Sequence, residues 1–182
     1  MLKFTMSFLS LVLASSAWAG DFSVEVGFRQ QSGQVESGMT AESQIGFQVG
    51  GVGVFEISGP LGLRTGMMYV SRPLVVKNDS TDEDSKYTMN YFEVPAALSY
   101  SFEDYASVFG GLAFSMNLDS SATNGMKAEN VKSFYMPIIV GASFKFAPQL
   151  GGTIFFETSG GDVADGLTGY RAVGANLSIS FE

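Results

Sequence analysis

The feature that most constrains this chain is a strict alternation of apolar with small or polar residues, repeated in long runs along most of its length. Phe22, Val24, Val26 and Phe28 alternate with Ser23, Glu25, Gly27 and Arg29. Phe134, Met136, Ile138, Val140, Ala142, Phe144 and Phe146 form the longest apolar row, and Val173, Ala175, Leu177, Ile179 and Phe181 form another. Successive side chains of a strand point to opposite sides, so each run is a strand with one apolar face and one small or polar face. Eight such segments are legible, at 22–31, 43–57, 61–74, 86–101, 106–117, 132–146, 150–158 and 168–181.

Most of these segments exceed the roughly 5–6 residues of an ordinary strand and meet the roughly 9–11 that a tilted strand needs to cross a bilayer. Their connections alternate. Ser58-Gly59-Pro60, Phe102-Glu103-Asp104 and Ala147-Pro148-Gln149 are short, whereas 32–42, 71–85, 118–131 and 159–167 are longer and polar. This pattern predicts an all-β fold, an eight-stranded antiparallel up-and-down transmembrane β-barrel, with both termini periplasmic and the long loops extracellular. Lipid offers no partner to an unpaired backbone group, so such a sheet must close on itself. A soluble periplasmic barrel of the lipocalin type would instead place its apolar rows inside. The 132–146 segment favours lipid, because its apolar row stands opposite Tyr135, Pro137, Ile139, Gly141, Ser143 and Lys145.

Composition agrees. Hydrophobic residues make up 46% and charged residues 15%, yet no stretch in the body of the chain reaches the roughly 20 apolar residues of a membrane-crossing helix. The formal charge of -8 repels phosphate backbones and argues against a nucleic-acid partner. The sequence contains neither Cys nor His. Zinc and copper therefore lack their best ligands, and catalysis with a His base is excluded, so no cofactor, no metal and no enzymatic activity are expected. Asp162 and Asp165 could pair as carboxylates, but their Gly-rich setting reads as a solvated turn.

Residues 1–19 read as a secretory signal peptide: Lys3 is the basic start, 4–14 the apolar stretch and Ala17-Trp18-Ala19 the small-residue cleavage site. Export through the Sec pathway would leave 20–182 as one barrel domain.

Three segments carry a family likeness: Leu61-Gly62-Leu63-Arg64-Thr65-Gly66-Met67-Met68-Tyr69-Val70, then Asn90-Tyr91-Phe92-Glu93-Val94-Pro95-Ala96-Ala97-Leu98-Ser99-Tyr100-Ser101-Phe102, then Ala106-Ser107-Val108-Phe109-Gly110-Gly111-Leu112-Ala113-Phe114. In this order and at hairpin spacing they resemble the small outer-membrane β-barrel proteins of the OmpA/OmpX-like, porin-like superfamily. The resemblance implies residence in the bacterial outer membrane among lipid and lipopolysaccharide, as a monomer inserted by the barrel-assembly machinery. The family commonly ends on an aromatic residue; here Phe181 is followed by Glu182.

With the apolar rows outward, the inward charges are Glu25, Arg29, Glu56, Arg64, Glu93, Lys145 and Glu157, expected to form an ion network in the lumen. An eight-stranded barrel is narrow enough for side chains to fill, and unpaired charges inside it would be costly. Arg64 is expected to bridge Glu56 or Glu25 with Lys145 near, while Tyr91, Phe109 and Phe155 narrow the same interior. Pro95 and Pro137 lie within strands and are read as bulges. Tyr69, Tyr87, Tyr91, Tyr105, Tyr135 and Tyr170 are read as aromatic girdles near strand ends. Asp79, Asp82, Glu83 and Asp84 form a candidate cation-binding loop, but without EF-hand spacing a solvated acidic loop is favoured. The function that follows is a non-enzymatic structural or surface-interaction role. The alternatives are a narrow passive pore for small solutes and the soluble ligand-binding barrel.

Overall fold

A computed structural model describes residues 21–35, 39–78, 84–122, 131–161 and 167–181 of the chain. The signal segment 1–19 lies outside the described residues, as do Asp79, Asp82, Glu83, Asp162 and Asp165. Asp84 is described only as the first residue of its strand.

The strand segments are β1 (Asp21–Val35), β2 (Met39–Glu42), β3 (Gln44–Ser58), β4 (Leu61–Asn78), β5 (Asp84–Glu103), β6 (Ala106–Ala122), β7 (Phe134–Tyr135), β8 (Ile138–Ala147), β9 (Leu150–Thr158) and β10 (Leu167–Phe181). β2 and β3 both pair with β4 and make one stave of the barrel; β7 and β8 both pair with β6 and make another. Eight antiparallel staves result, and β1 closes the wall against β10 over a long register from Phe22↔Phe181 to Val35↔Leu167.

The alternation sorts the side chains as lipid demands. Val26, Phe28, Phe47, Leu112, Ile138, Val140, Phe156 and Leu177 are exposed on the outer wall, while Glu25, Arg29, Arg64, Glu93 and Glu157 are buried inside. Hydrocarbon would bury the exposed rows; water would not. Tyr69 and Tyr105 are on the outside, but Tyr91, Tyr135 and Tyr170 are buried in the lumen and belong to no girdle. Their rings surround the Arg72 guanidinium inside the tube.

The two ends differ. Tight turns join β3 to β4, β5 to β6 and β8 to β9 at the end that also holds Asp21 and Phe181. Gly59 takes a φ of 53° in the β3–β4 turn, a left-handed conformation that only glycine adopts without strain. At the other end β4, β5 and β6 run 18, 20 and 17 residues, whereas β9 has only 9, so the wall is tall on one side and low on the other. One extra residue, Leu118, separates the pairs Tyr91↔Asn117 and Asn90↔Asp119. A one-residue bulge exchanges faces. The outside of β6 thereby changes from Phe114 and Met116 to Asp119 and Ser121, which marks the upper limit of the apolar band on this side.

Pro95 and Pro137 are not bulges. The β4–β5 ladder omits the pairs beside Pro95 and resumes at Met68↔Glu93 in the register it had at Thr65↔Ala96. The β6 ladder likewise keeps one register from Ser115↔Tyr135 to Leu112↔Ile138 across Pro137. Ala113 N still donates to Pro137 O at 2.9 Å; only the bond that a proline N–H would return is missing.

Candidate functional site

The inward face of the staves builds one polar column along the barrel axis. Near the short-turn end Arg64 donates to Glu25 at 2.6 Å, and its guanidinium lies 4.6 Å from the Phe109 ring centre. Glu25 also accepts from Asn176 Nδ2 at 2.8 Å and from Thr153 Oγ1 at 3.3 Å. Asn176 Oδ1 accepts from Gln48 Nε2 at 2.8 Å, and Gln48 Oε1 accepts from Arg29 Nη1 at 3.2 Å. Arg29 is bonded in turn to Glu157. Arg72 then joins two carboxylates, Glu157 at 2.9 Å and Glu93 at 2.5 Å, and Ser115 Oγ donates to Glu93 at 2.6 Å. Three arginines face three glutamates, so the column is neutral as a whole.

Arg72 is the hub. It is completely buried, and the ring centres of Tyr91, Tyr135 and Tyr170 lie 4.9, 4.9 and 5.0 Å from its guanidinium carbon. Its Nε and Nη1, the Arg29 Nε and the Tyr135 hydroxyl have no hydrogen-bond partner among the described residues. Aromatic faces take up part of the demand that hydrogen bonds leave at Arg72. The polar hub is embedded in an apolar cluster of Val70, Leu74, Met89, Tyr91, Tyr135, Tyr170 and Ala172. Tyr170 reaches out of it to donate to Gln31 Oε1 at 2.9 Å.

Below the Arg64–Glu25 pair the lumen opens into a cavity of about 110 Å³, lined by Ser23, Ser99, Ser101, Ser143, Ser180 and their neighbours and facing the short turns. A smaller cavity of about 30 Å³ lies beside Glu25, Arg64, Phe109 and Phe155.

Of the seven charges expected in the lumen, the structure brings Glu25, Arg29, Arg64, Glu93 and Glu157 into one connected set. Arg64 takes Glu25 as its partner. Glu56 is a correction: it is exposed at the end of β3 and, among the described residues, forms no ion pair. It keeps the inward frame, but at the rim of the tube that frame points to solvent. Lys145 is also off the column. It is half-buried near the rim, with Nζ 3.6 Å from Asp21 Oδ2. The residue that sequence reasoning missed is Arg72. The signal was present, since Arg72 is in the same alternating frame as Arg64 on one strand, but its polar surroundings read as the start of a loop. The neutral linkers Gln48, Thr153 and Asn176 carry no comparable signal. Among the described residues no group of carboxylates is arranged to hold a metal ion. No helix is long and apolar enough to cross a membrane, which says nothing about strands.

A family model described as outer membrane protein beta-barrel domain matches residues 14–162. No curated protein matches the chain in a sequence search. Among solved structures the chain is similar to Neisserial surface protein A, with a TM-score of 0.60 and 15% identity over 88% of this chain and 97% of that one. It is also similar to Ail, the attachment invasion locus protein of Yersinia pestis, solved in complex with the heparin analogue sucrose octasulfate. There the TM-score is 0.56 at 15% identity, covering 90% of this chain and 99% of that one. A de novo designed transmembrane β-barrel gives a TM-score of 0.50 at 14% identity over 90% and 97%. At such identities the likeness is one of fold.

Proposed function

The chain belongs to the outer membrane protein beta-barrel domain family, and from that premise we propose that it is a closed, non-conducting barrel whose task is to hold its long loops at the cell surface for contact with other molecules. The observation that carries this reading is the blocked lumen. Arg29, Arg72, Tyr91, Tyr170 and Glu157 are each almost wholly buried across the tube. A conducting path needs water, and a plug of paired charges packed against three tyrosines leaves none at that height. The pore reading would require Arg72 to leave both of its carboxylates, which strands buried charge.

Several finer points belong to the same proposal. The first 19 residues are removed on Sec export, leaving 20–182 as the barrel. The short turns face the periplasm and the opposite end of the barrel faces the cell exterior, where the acidic run of Asp79, Asp82, Glu83 and Asp84 would meet the cations of the lipopolysaccharide layer. The barrel-assembly machinery inserts the chain as a monomer. The role is non-enzymatic, in keeping with a chain that has no His and no Cys.

Planar-bilayer recording of the purified protein tests the central claim. A silent bilayer is expected, and sustained unitary currents would replace the surface-display reading with the pore. Because the chain has no cysteine, a single Cys at Thr81 should react with an impermeant maleimide on intact cells, and protection there would reverse the orientation.

A further inference from the structure

Three interruptions of the barrel ladder coincide with prolines, and one is unlike the other two. At Pro95 and Pro137 the ladder loses the pairs of the proline and of the residue before it, and continues in register. At Pro73 it does not. The β3–β4 ladder ends at Gln48↔Val70, and the β2–β4 ladder begins at Glu42↔Val75. Residues 43–47 on one side therefore face residues 71–74 on the other with no ladder pair between them and one residue in excess. Each segment is bound normally on its far side: Gln44 to Phe47 pair with β1, and Ser71 to Leu74 pair with β5. The break thus runs along one line of the wall. The backbones still touch along it, because a Cβ on Gly46 would stand 2.1 Å from the Ser71 carbonyl oxygen.

What spans this line comes from inside the tube. Gln31, on β1, reaches past β3 and donates through Nε2 to the carbonyl of Pro73, while Tyr170 on β10 donates to Gln31 Oε1 at 2.9 Å. Gln31 is buried. Arg72 lies within the unpaired segment itself, and its guanidinium ties that segment to Glu93 on β5 and to Glu157 on β9 across the lumen. Where the ladder pairing lapses, Gln31 supplies a side-chain tie across the line, and Arg72 anchors residues 71–74 toward the lumen.

We propose that the line between residues 43–47 and 71–74 is a lateral seam of the barrel, kept shut by the Gln31 clasp and the Arg72 hub, and that loosening the clasp opens the wall there and nowhere else. The seam is independent of axial conduction, so silence or current in planar bilayers does not bear on it.

The absence of native cysteine allows a clean test by paired spin labels in lipid nanodiscs. One pair, at Ile45 and Thr88, spans the seam and leaves residues 71–74 unaltered. A control pair, at Phe28 and Ile154, spans two intact ladders. Gln31→Leu keeps the bulk and removes the donor. It is expected to add a population in which the seam pair is longer by at least about one strand spacing, ~5 Å, with the control pair unmoved. A folded Gln31→Leu protein, judged by heat-modifiable gel mobility, whose seam distances match the parent overturns the proposal. Should that variant fail to fold, warming the unmodified barrel decides. The seam pair must lengthen at a lower temperature than the control pair, and joint lengthening overturns the seam.

Discussion

The two halves of the lumen are built on opposite principles. Toward the short turns the inward face is lined with serines, and a cavity of about 110 Å³ remains above the turns. There the Arg64–Glu25 pair sits at the edge of accessible space, and Glu25 has Asn176 and Thr153 as further donors. Toward the long loops the lumen is packed with Val70, Leu74, Met89 and three tyrosines, and its ion pairs are entirely enclosed. The same chemistry, arginine against glutamate, is thus placed in two dielectric settings within one tube. Water and redundant donors can take over in the first. In the second a lost partner leaves its mate charged in a dry interior.

That contrast can be broken by substitution. Arg72→Ala is expected to have the largest effect, a loss of about 3–5 kcal/mol, because it leaves Glu93 in a closed site with only the Ser115 hydroxyl as donor, while Glu157 keeps Arg29 alone. Urea unfolding in detergent, followed by far-ultraviolet circular dichroism, measures it. Arg64→Ala should cost less, about 1–3 kcal/mol, since Glu25 retains two donors and the cavity can admit water. Equal losses from the two arginines would erase the distinction between the halves. Tyr170→Phe removes only the hydroxyl that steadies Gln31 and should cost about 0.5–1.5 kcal/mol in the same assay. It should also speed amide exchange along the seam before it changes the global midpoint. The smallest effect belongs to Ser101→Ala, at the cavity wall, expected to fall within about 0.5 kcal/mol of the parent. A larger loss there would show that the short-turn half is as tightly organised as the other.

The barrel was legible because period-two alternation says which side chains share a face, and the strand lengths say that the face crosses a membrane. The same alternation put Glu25, Arg29, Arg64, Glu93 and Glu157 inside. It failed at Glu56 because the pattern reports direction and not depth, and an inward direction at the rim is solvent. Arg72 was passed over for the complementary reason. Polar neighbours suggested a loop, whereas β4 continues well beyond the apolar band to Asn78. Tyr91, Tyr135 and Tyr170 looked like girdle residues because aromatic residues near strand ends usually are. Their burial around a guanidinium depends on what stands across the tube, which no single strand records.

By itself, then, the order of residues determined the alternation, the staves and the rows that must meet hydrocarbon, since these follow from the geometry of one extended chain. Tertiary structure alone decided the partners. Arg29 and Glu157 are separated by 128 residues and meet only because β1 and β9 face the same lumen. It also decided where the wall is continuous and where it is seamed. Register between staves is set by bulges, turns and prolines acting together on closure, and a one-residue difference between two ladders on β4 is invisible until the sheet has come full circle.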